Sequence, residues 1–492
     1  MGSLLTVNGL PHLYKEPGMI HNIRVGILLV GAGWKGGVSY ITSLVTAVAS
    51  LPPDEQPRLF FIVNDEALEY YSEHASIIDS FSGTFYIGQN TGKARDVMGA
   101  SVAIVHSITD LIPLIDFFYP TMYTAWPSIC SACWIPDLQH AHLPQLFTPD
   151  QLTSRTNAIS TISQEARLIV FSSKDAQNDF LGLYPRSSAI TRLLPFHILP
   201  CEEWYRHDPR AVQQTYQLPD SFMICCNQFW KHKDHFSLIE AVYRLRQDSI
   251  DVHVVCTGST SDYRAPDYFS HLQQTIHSRG VEDLFHILGD IPRDDQIQLM
   301  RRALAVIQPS LFEGWSTVVE EARSLGKPIV LSDLPVNVEQ GPSRGLFFKK
   351  NDPDDLARAL RSVLTAEIPG ADLVREADAA KETARLVESY GRAFCSLVVE
   401  AHFIYQKRIR GMSDALWKLL TKPIHEDEWN ESNEMSGASM RSDAGGQKHS
   451  EVIDQCDCGR RFNVACPHCS TLICISHKGT WECCACGKQF AV

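Results

Sequence analysis

Two glutamates eight residues apart flank the predicted start of a helix in PSLFEGWSTVVEEA (309–322). Thr317 followed by Glu320 fits a capping box, which leaves the backbone N–H groups of the first helical residues free. Glu313 then lies in the loop before the helix, and Glu321 lies one turn inside it. Carboxylates here could hold sugar hydroxyls while the N–H groups bind phosphate. Acidic residues that favour the helix dipole explain Glu320 and Glu321 equally well, but leave Glu313 unexplained.

A glycine-rich segment, GAGWKGGV (31–38), follows the first apolar run and opens another predicted helix. Glycines in such a turn let backbone N–H groups approach a phosphate. The spacing departs from G-x-G-x-x-G, so the dinucleotide fingerprint is weak. Phosphate binding at Gly36 and Gly37 and a simple tight turn are both open interpretations.

Eight of the 15 cysteines lie between Cys456 and Cys486. Four pairs have the spacing of metal ligands: Cys456/Cys458, Cys466/Cys469, Cys474/His477 and Cys483/Cys486. We see no secretory signal, so zinc is favoured over a disulfide knot. The first and third pairs could share one Zn²⁺ and the second and fourth another. Alternatively, Cys466/Cys469 and Cys483/Cys486 could form a single zinc ribbon. Because so short a module has little core, zinc would stabilise its fold directly.

Short apolar runs alternate with predicted helices in two successive series. The first series has runs at 23–30, 58–64, 102–108, 131–137 and 167–173. The pattern restarts after a proline-bearing segment, 193–205, with runs at 222–229, 252–258, 284–290, 303–310 and 328–333. A helix is predicted over 235–247. Continuous apolar strands followed by helices are typical of parallel sheets covered on both faces. The sequence therefore predicts an α/β protein with two doubly wound domains that face a cleft.

The composition is that of an ordinary globular protein. The 492 residues are 44% hydrophobic and 21% charged, with a formal net charge of −13, which disfavours non-specific binding to nucleic acid. No apolar run reaches the length of a membrane span. The seven other cysteines lie in apolar stretches, which predicts buried, reduced thiols. We therefore expect a cytoplasmic protein, at most peripheral at a membrane.

Four features share their pattern with a known family. They are the Gly36-Gly37 loop, the Glu313-x7-Glu321 pair, PSLFEGWSTVVEEARSLGKPIVLSDLPVNVEQ (309–340) and NDPDDLARAL (351–360). Together they resemble retaining GT-B glycosyltransferases that use nucleotide-activated sugars, including bacterial polysaccharide mannosyl-, rhamnosyl- and glucosyltransferases. The resemblance covers roughly residues 23–410. It implies two Rossmann-like domains that close over the donor, with terminal helices that cross back onto the first domain.

The resemblance and the composition together divide the chain into six regions. They are an irregular lead-in (1–21), an acceptor-side Rossmann-like domain (22–205), a donor-side Rossmann-like domain (206–380), terminal helices (381–424), a flexible acidic linker (425–450) and a small C-terminal zinc-binding module (451–492).

The resemblance also implies roles for residues on the donor side. Glu313 would hydrogen-bond the sugar hydroxyls of the donor, and Glu321 would bind the ribose. The amides of Thr317 and Val318, with Gly37 from the other domain, would bind the diphosphate.

The stretch NQFWKHK (227–233) corresponds to a family segment that often has Arg and, five residues later, Lys against the phosphates. Lys233 matches the lysine, whereas Gln228 stands where the arginine often is. One positive charge is therefore missing or supplied elsewhere, with Lys231 or Arg293 as candidates.

Two further loops complete the site that the resemblance implies. The segment WIPDLQHAHLPQLF (134–147) would place a histidine in the cleft, where His140 fits best and His142 is the alternative. The loop that ends at Ile291 would pass the nucleobase.

The resemblance therefore implies a retaining glycosyltransferase that moves a sugar from a nucleoside-diphosphate donor to an acceptor hydroxyl. Lys233 and the helix N–H groups would stabilise charge on the diphosphate, and no catalytic metal is expected. The acceptor could be a glycan, a lipid-linked molecule, a protein or RNA, and the zinc module would dock it or a protein partner. The alternative, which Gln228 favours, is a catalytically weak GT-B-fold adaptor that carries a zinc interaction module.

Overall fold

The computed structural model describes residues 20–29 and 34–409, and the backbone of four short strands between residues 462 and 491. Side chains are described for residues 20–29 and 34–405. The chain divides into two compact units, Met1–Lys422 and Pro423–Val492.

The first sheet of the larger unit is fully parallel and has the strand order β4-β3-β2-β1-β5-β6-β7-β8. Its strands are β1 (Arg24–Leu28), β2 (Arg58–Asn64), β3 (Gly83–Ile87), β4 (Ala103–Val105), β5 (Phe117–Thr121), β6 (Ser131–Ile135), β7 (Leu168–Phe171) and β8 (Ile190–Leu193). Strands β5, β6 and β7 are buried along their whole length, as expected when helices cover both faces.

The second sheet is also parallel and has the order β11-β10-β9-β12-β13-β14. Its strands are β9 (Met223–Cys225), β10 (Val254–Thr257), β11 (Phe285–Gly289), β12 (Val306–Gln308), β13 (Ile329–Ser332) and β14 (Gly345–Phe348). Counted from β9, this is the Rossmann order 3-2-1-4-5-6, which reverses direction between β9 and β12.

Fifteen α-helices connect and cover the strands in the described part of the chain. They are α1 (Lys35–Ala49), α2 (Asp65–Leu68), α3 (Thr91–Met98), α4 (Gln139–His142), α5 (Pro149–Glu165), α6 (Lys174–Leu183), α7 (Glu203–Arg206), α8 (Pro209–Thr215), α9 (His235–Gln247), α10 (Tyr268–Arg279), α11 (Arg293–Arg302), α12 (Thr317–Ser324), α13 (Pro335–Gln340), α14 (Pro353–Ala366) and α15 (Leu373–Ile409).

One helix, α15, joins the two Rossmann-like domains. Near its N-terminus, buried Glu376 pairs with buried Arg301 of α11 in the second domain, with Nε to Oε1 at 2.8 Å. Further along, apolar side chains at helical spacing, such as Tyr390, Phe394 and Val398, join the core around β1 and β5 of the first domain. In the described residues a single continuous helix thus makes this crossing. The resemblance placed terminal helices at 381–424, of which residues 410–424 lie outside the described part.

Most of the scattered cysteines are buried free thiols, but Cys201 is exposed, so the prediction that they are all buried is wrong there. The described helices include none that is long and apolar enough to span a bilayer.

Two antiparallel strand pairs are described in the smaller unit. They are β15 (Phe462–Ala465) with β16 (Leu472–Ile475), and β17 (Thr480–Glu482) with β18 (Gln489–Ala491).

Candidate functional site

The strand order of the second sheet places two loops side by side. The loop after β9 carries Lys233, and the loop after β12 carries Glu313. Because β9 and β12 are neighbours at the point where the strand order reverses, their carboxyl ends open into one crevice. This is the place where open α/β sheets bind ligands.

Lys233 and Glu313 form an ion pair in this crevice. Lys233 Nζ lies 2.6 Å from Glu313 Oε1, and Gln308 Nε2 donates to the same oxygen at 2.7 Å. The two charged side chains are only 17% and 8% exposed. No described residue bonds Glu313 Oε2, so this oxygen can accept a hydrogen bond from a ligand hydroxyl.

Helix α12 begins one residue earlier than the capping box requires. Ser316 is the N-cap, and its hydroxyl accepts from the N–H of Val319, so the capping box of Thr317 and Glu320 is wrong. Gln340 holds the cap in place, since its amide accepts from Ser316 N–H at 3.1 Å and donates to Ser316 O at 2.9 Å. The N–H groups of Thr317 and Val318 have no acceptor in the described part of the chain.

Glu320 does not cap the helix; its side chain instead binds neighbouring side chains in the protein interior. It is almost fully buried and accepts from His197 Nδ1 at 2.7 Å and from Gln340 Nε2 at 2.9 Å. Burial opposes its ionisation, but His197 and Arg323 outweigh this and lower its pKa, so Glu320 is charged at neutral pH.

Glu321 lies on the same helix and is 3% exposed. Its Oε1 pairs with Arg293, while its buried Oε2 has no partner among the described residues. A buried carboxylate oxygen without a donor is costly, and a ribose hydroxyl would satisfy it. Because Arg293 is committed to Glu321 and stacks 5.5 Å from the Trp204 ring, it is not a free cation for a diphosphate.

The loop after β9 brings one cation, Lys233, into the crevice. Gln228 is half-buried and carries no charge, and Lys231 is exposed. Gly258 is required beside this loop, because a Cβ there would lie 2.7 Å from Asn227 O.

The glycine loop is described from Trp34 onward, and residues 30–33 lie outside the described part. Gly37 N–H donates to Trp34 O at 2.9 Å, so it is already engaged. The N–H groups of Lys35 and Gly36 have no acceptor within the described residues. Lys35 Nζ reaches across to Asp290 Oδ1 at 2.9 Å, beside Ile291. At the start of α1, the backbone N–H groups that could bind a ligand are thus those of Lys35 and Gly36 rather than that of Gly37.

His140 lies on the one-turn helix α4 after β6 and is 6% exposed. Burial, and to a smaller extent Arg155, lower its pKa, so the imidazole is neutral at pH 7. Its Nδ1 is buried without a partner among the described residues. His142, the alternative, is occupied by Asp179 at 2.5 Å and packs against Phe312.

The two domains meet at this point. A Cβ on Gly314 would lie 2.4 Å from Pro136 O, so only glycine allows the Glu313 loop to approach the end of β6 so closely. Trp315 Nε1 donates to Phe196 O at 2.9 Å from the same loop. The loops that carry His140 and Glu313 are therefore in contact.

Sequence reasoning missed three polar residues in this crevice: Gln308, Lys35 and Arg264. Lys35 lies in the glycine-rich segment without having been assigned a role, and no motif marks Gln308 or Arg264. Their signal is topological, since Gln308 ends a strand, Arg264 follows β10 and Lys35 begins α1, and these positions share the carboxyl edges of the sheets.

The predicted zinc ligands are not brought together by the described part of the structure. One of the eight predicted ligands, Cys474, lies in β16, where only the backbone is described. Among the described side chains, no group of three or more His, Cys, Asp or Glu could hold a metal ion. The pairing of these ligands around one or two zinc ions therefore stays a prediction. The seven that lie outside the described residues are Cys456, Cys458, Cys466, Cys469, His477, Cys483 and Cys486.

Part of the chain matches a known protein family. Residues 212–385 match the family described as Glycosyl transferases group 1. The match covers the second Rossmann-like domain and the first residues of α15. It includes Lys233, Glu313 and Glu321.

Curated relatives align over parts of the chain. The O-antigen chain mannosyltransferase RfbU of Salmonella typhimurium is 25% identical over 144 residues, which are 29% of this chain and 38% of the relative. A D-inositol 3-phosphate glycosyltransferase of Geodermatophilus obscurus is 29% identical over 184 residues, which are 35% of this chain and 40% of the relative. The chain thus spans about two fifths of the length of these relatives.

Solved structures resemble the chain over a larger share. A glycosyltransferase from Rickettsia africae has a TM-score of 0.53 at 14% identity, covering 77% of this chain and 98% of that one. Anabaena HepE, in complex with UDP and glucose, has a TM-score of 0.50 at 15% identity, covering 79% and 99%.

At these identities the likeness shows the fold alone. The described chain therefore has the GT-B architecture of two Rossmann-like domains, and its second domain matches the group 1 glycosyl transferases.

Proposed function

We propose that this protein is a retaining glycosyltransferase that transfers a sugar from a nucleoside-diphosphate donor to an acceptor hydroxyl. The observation that carries the proposal is the pair of glutamates at the crevice. Glu313 and Glu321 each use one carboxylate oxygen on a protein cation and leave the other without a described donor. The free N–H groups at the start of α12 lie between the two residues in sequence.

The geometry suits a donor in three parts. Glu321 Oε2 would accept from the ribose, Glu313 Oε2 would accept from the sugar, and the N–H groups of Thr317 and Val318 would bind the diphosphate between them. The complex of HepE with UDP and glucose supports a uridine donor class as the first to try.

Catalysis would rest on positioning and charge. The anomeric bond breaks as the diphosphate leaves, and the helix N-terminus with Lys233 stabilises the negative charge that develops. The acceptor hydroxyl attacks from the same face and gives its proton to the departing phosphate. His140, neutral and buried, can accept a hydrogen bond from a sugar hydroxyl but cannot serve as a cation.

Donor binding tests this proposal directly. We expect one nucleoside diphosphate from a panel of UDP, GDP, ADP and dTDP to raise the melting temperature, because a ligand at 100 times its Kd stabilises by about 2.7 kcal/mol. Glu321→Ala should remove most of the shift, whereas Glu240→Ala, on the surface of the same domain, should leave it unchanged. Failure of every nucleotide to shift the wild-type protein would contradict the proposal.

We also propose that residues 451–492 form a structural zinc module. Cys466 and Cys469 fall in the connection between β15 and β16, and Cys483 and Cys486 in the connection between β17 and β18. Cys-x-x-Cys turns in two hairpins are the ligand arrangement of a zinc ribbon. The hairpins therefore support these four cysteines as the first ligand set. A second ion would take the remaining candidates, Cys456, Cys458, Cys474 and His477.

Metal analysis of the purified protein tests the zinc module. We expect one to two zinc ions per chain, all lost when the chain is truncated after residue 450. Cys466→Ser should release at least one ion, whereas Cys201→Ser, at an exposed cysteine in the larger unit, should release none. Disulfides among the eight C-terminal cysteines would refute both the zinc and the cytoplasmic predictions.

A further inference from the structure

Arg264 is a buried cation at the boundary between the two Rossmann-like domains. It lies in the loop between β10 and α10, and its side chain is 6% exposed. The guanidinium packs among three rings, with its carbon 4.9 Å from the centre of Trp230, 5.4 Å from Phe147 and 5.6 Å from Tyr263. Phe147 belongs to the first domain and the other two rings to the second. The stack therefore spans both domains.

The hydrogen bonds of Arg264 also span both domains. One terminal nitrogen donates to Gln139 Oε1 at 3.1 Å, and the other donates to His232 Nδ1 at 3.3 Å. Gln139 directly precedes His140, and His232 directly precedes Lys233. A single planar group is thus bonded to the neighbours of two proposed site residues.

His232 connects Arg264 to the loop that carries Glu313. Burial, followed by the charges of Lys233 and Arg264, lowers the pKa of His232 well below its usual value, so the ring is neutral and Nδ1 can accept. The carbonyl of His232 accepts from Leu311 N–H at 2.8 Å. Leu311 lies two residues before Glu313.

Helix α4 needs such a contact, because its four residues form a single turn that would not be stable alone. The loop that carries Arg264 is itself fixed by buried Asp262, which accepts from the N–H of Arg264 at 3.0 Å and from that of Lys231 at 3.2 Å. The β10–α10 loop of the second domain, fixed by Asp262, therefore stabilises the single turn of α4 in the first domain.

We propose that Arg264 is a positioning residue that sets His140 and the Lys233–Glu313 pair relative to each other across the cleft. The proposal rests on the proposed function for its catalytic meaning, but the linkage itself is a property of the fold. Arg264 can serve both partners only while the domains are closed, since separating them would break the bond to Gln139 and unstack Phe147.

Hydrogen exchange tests the linkage without any substrate. In Arg264→Ala we expect exchange to rise about tenfold or more at two amides, Leu143, which donates to Gln139 O, and Leu311, which donates to His232 O. Arg264→Lys keeps the charge but lacks the planar fork, so a smaller rise is expected at both amides. Arg279→Ala provides the control, because Arg279 bonds Glu240 and stacks on Tyr243 within one domain. Changes confined to residues 258–267, or seen at only one of the two amides, would overturn the proposal.

A double-mutant cycle tests the catalytic consequence. We expect Arg264→Ala to lower kcat by about 100-fold through misplacement of reacting groups, with nucleoside-diphosphate affinity changed less than about threefold. In the His140→Ala background the same substitution should cost less than about fivefold, because the two residues act as a unit. Additive effects, or a parallel loss of nucleotide affinity, would refute positioning through His140. If the wild-type protein releases no diphosphate, the proposed function fails, while the exchange result still decides the linkage.

Discussion

Replacing Glu313 by glutamine is expected to lower the rate of sugar transfer about 10³-fold, equivalent to about 4 kcal/mol of transition-state stabilisation. The substitution removes the negative charge that faces Lys233 and, in the proposed complex, would face the donor sugar, while it keeps the shape of the side chain. Lys233→Ala should have a similar effect, because the departing diphosphate would lose its cation. Initial rates at saturating donor measure both effects.

The control for Glu313→Gln must separate chemistry from folding. Removing one partner of a buried ion pair can cost about 3–5 kcal/mol of stability, so the isosteric glutamine is preferred to alanine and melting curves must accompany the rates. Glu240→Gln changes a half-buried glutamate of the same domain that pairs with Arg279, and it should leave the rate unchanged. A folded Glu313→Gln protein with near-normal turnover would remove Glu313 from the site.

Deleting residues 451–492 is expected to raise the KM for the natural acceptor about 10- to 100-fold while slow donor hydrolysis stays within about twofold of wild type. The composition of residues 425–450 predicts a flexible linker that spans about 25–30 Å. Reacting atoms must be placed to within about an ångström, so a module held by such a linker could not align them. Such a module could still raise the local concentration of a bound acceptor.

Measuring donor hydrolysis and acceptor transfer side by side distinguishes docking from stabilisation. A full-length Cys466→Ser/Cys483→Ser protein provides the matched comparison, since it removes two of the proposed zinc ligands without shortening the chain and should behave like the truncation. Loss of hydrolysis and transfer in equal proportion would refute the docking role. It would indicate that the module stabilises the catalytic domains.

Much of the fold follows from the sequence because buried parallel strands read as continuous apolar runs. The run at 58–64 matches β2, and the helix predicted over 235–247 matches α9. The predicted runs leave out four strands, β3, β5, β8 and β14. In β5 the sequence FFYPT contains a proline, which argues against a central strand. The ladder with β6 is irregular between Phe118 and Thr121, so Pro120 lies where the pairing is interrupted.

Residue type and local spacing predicted that some of the candidate side chains lie close together, while their roles in binding a donor stay predictions. Lys233 and Glu313 form an ion pair because the strand order brings their two loops together. The start of α12 was predicted one residue too late, because Ser316 and Thr317 are both good caps. The tertiary bonds from Gln340 select Ser316. Arg264 could not be found locally, since its partners are 32 and 125 residues away.

The most direct test of the central claim is diphosphate release from a panel of nucleotide sugars by the full-length protein and its Glu313→Gln variant. We expect wild-type protein to release the diphosphate from one donor class, slowly by hydrolysis alone and faster with an acceptor, and the variant to be about 10³-fold slower. Release at equal rates by both proteins, or from no donor at all, would contradict the assignment of the Lys233–Glu313 crevice as a glycosyl-transfer site.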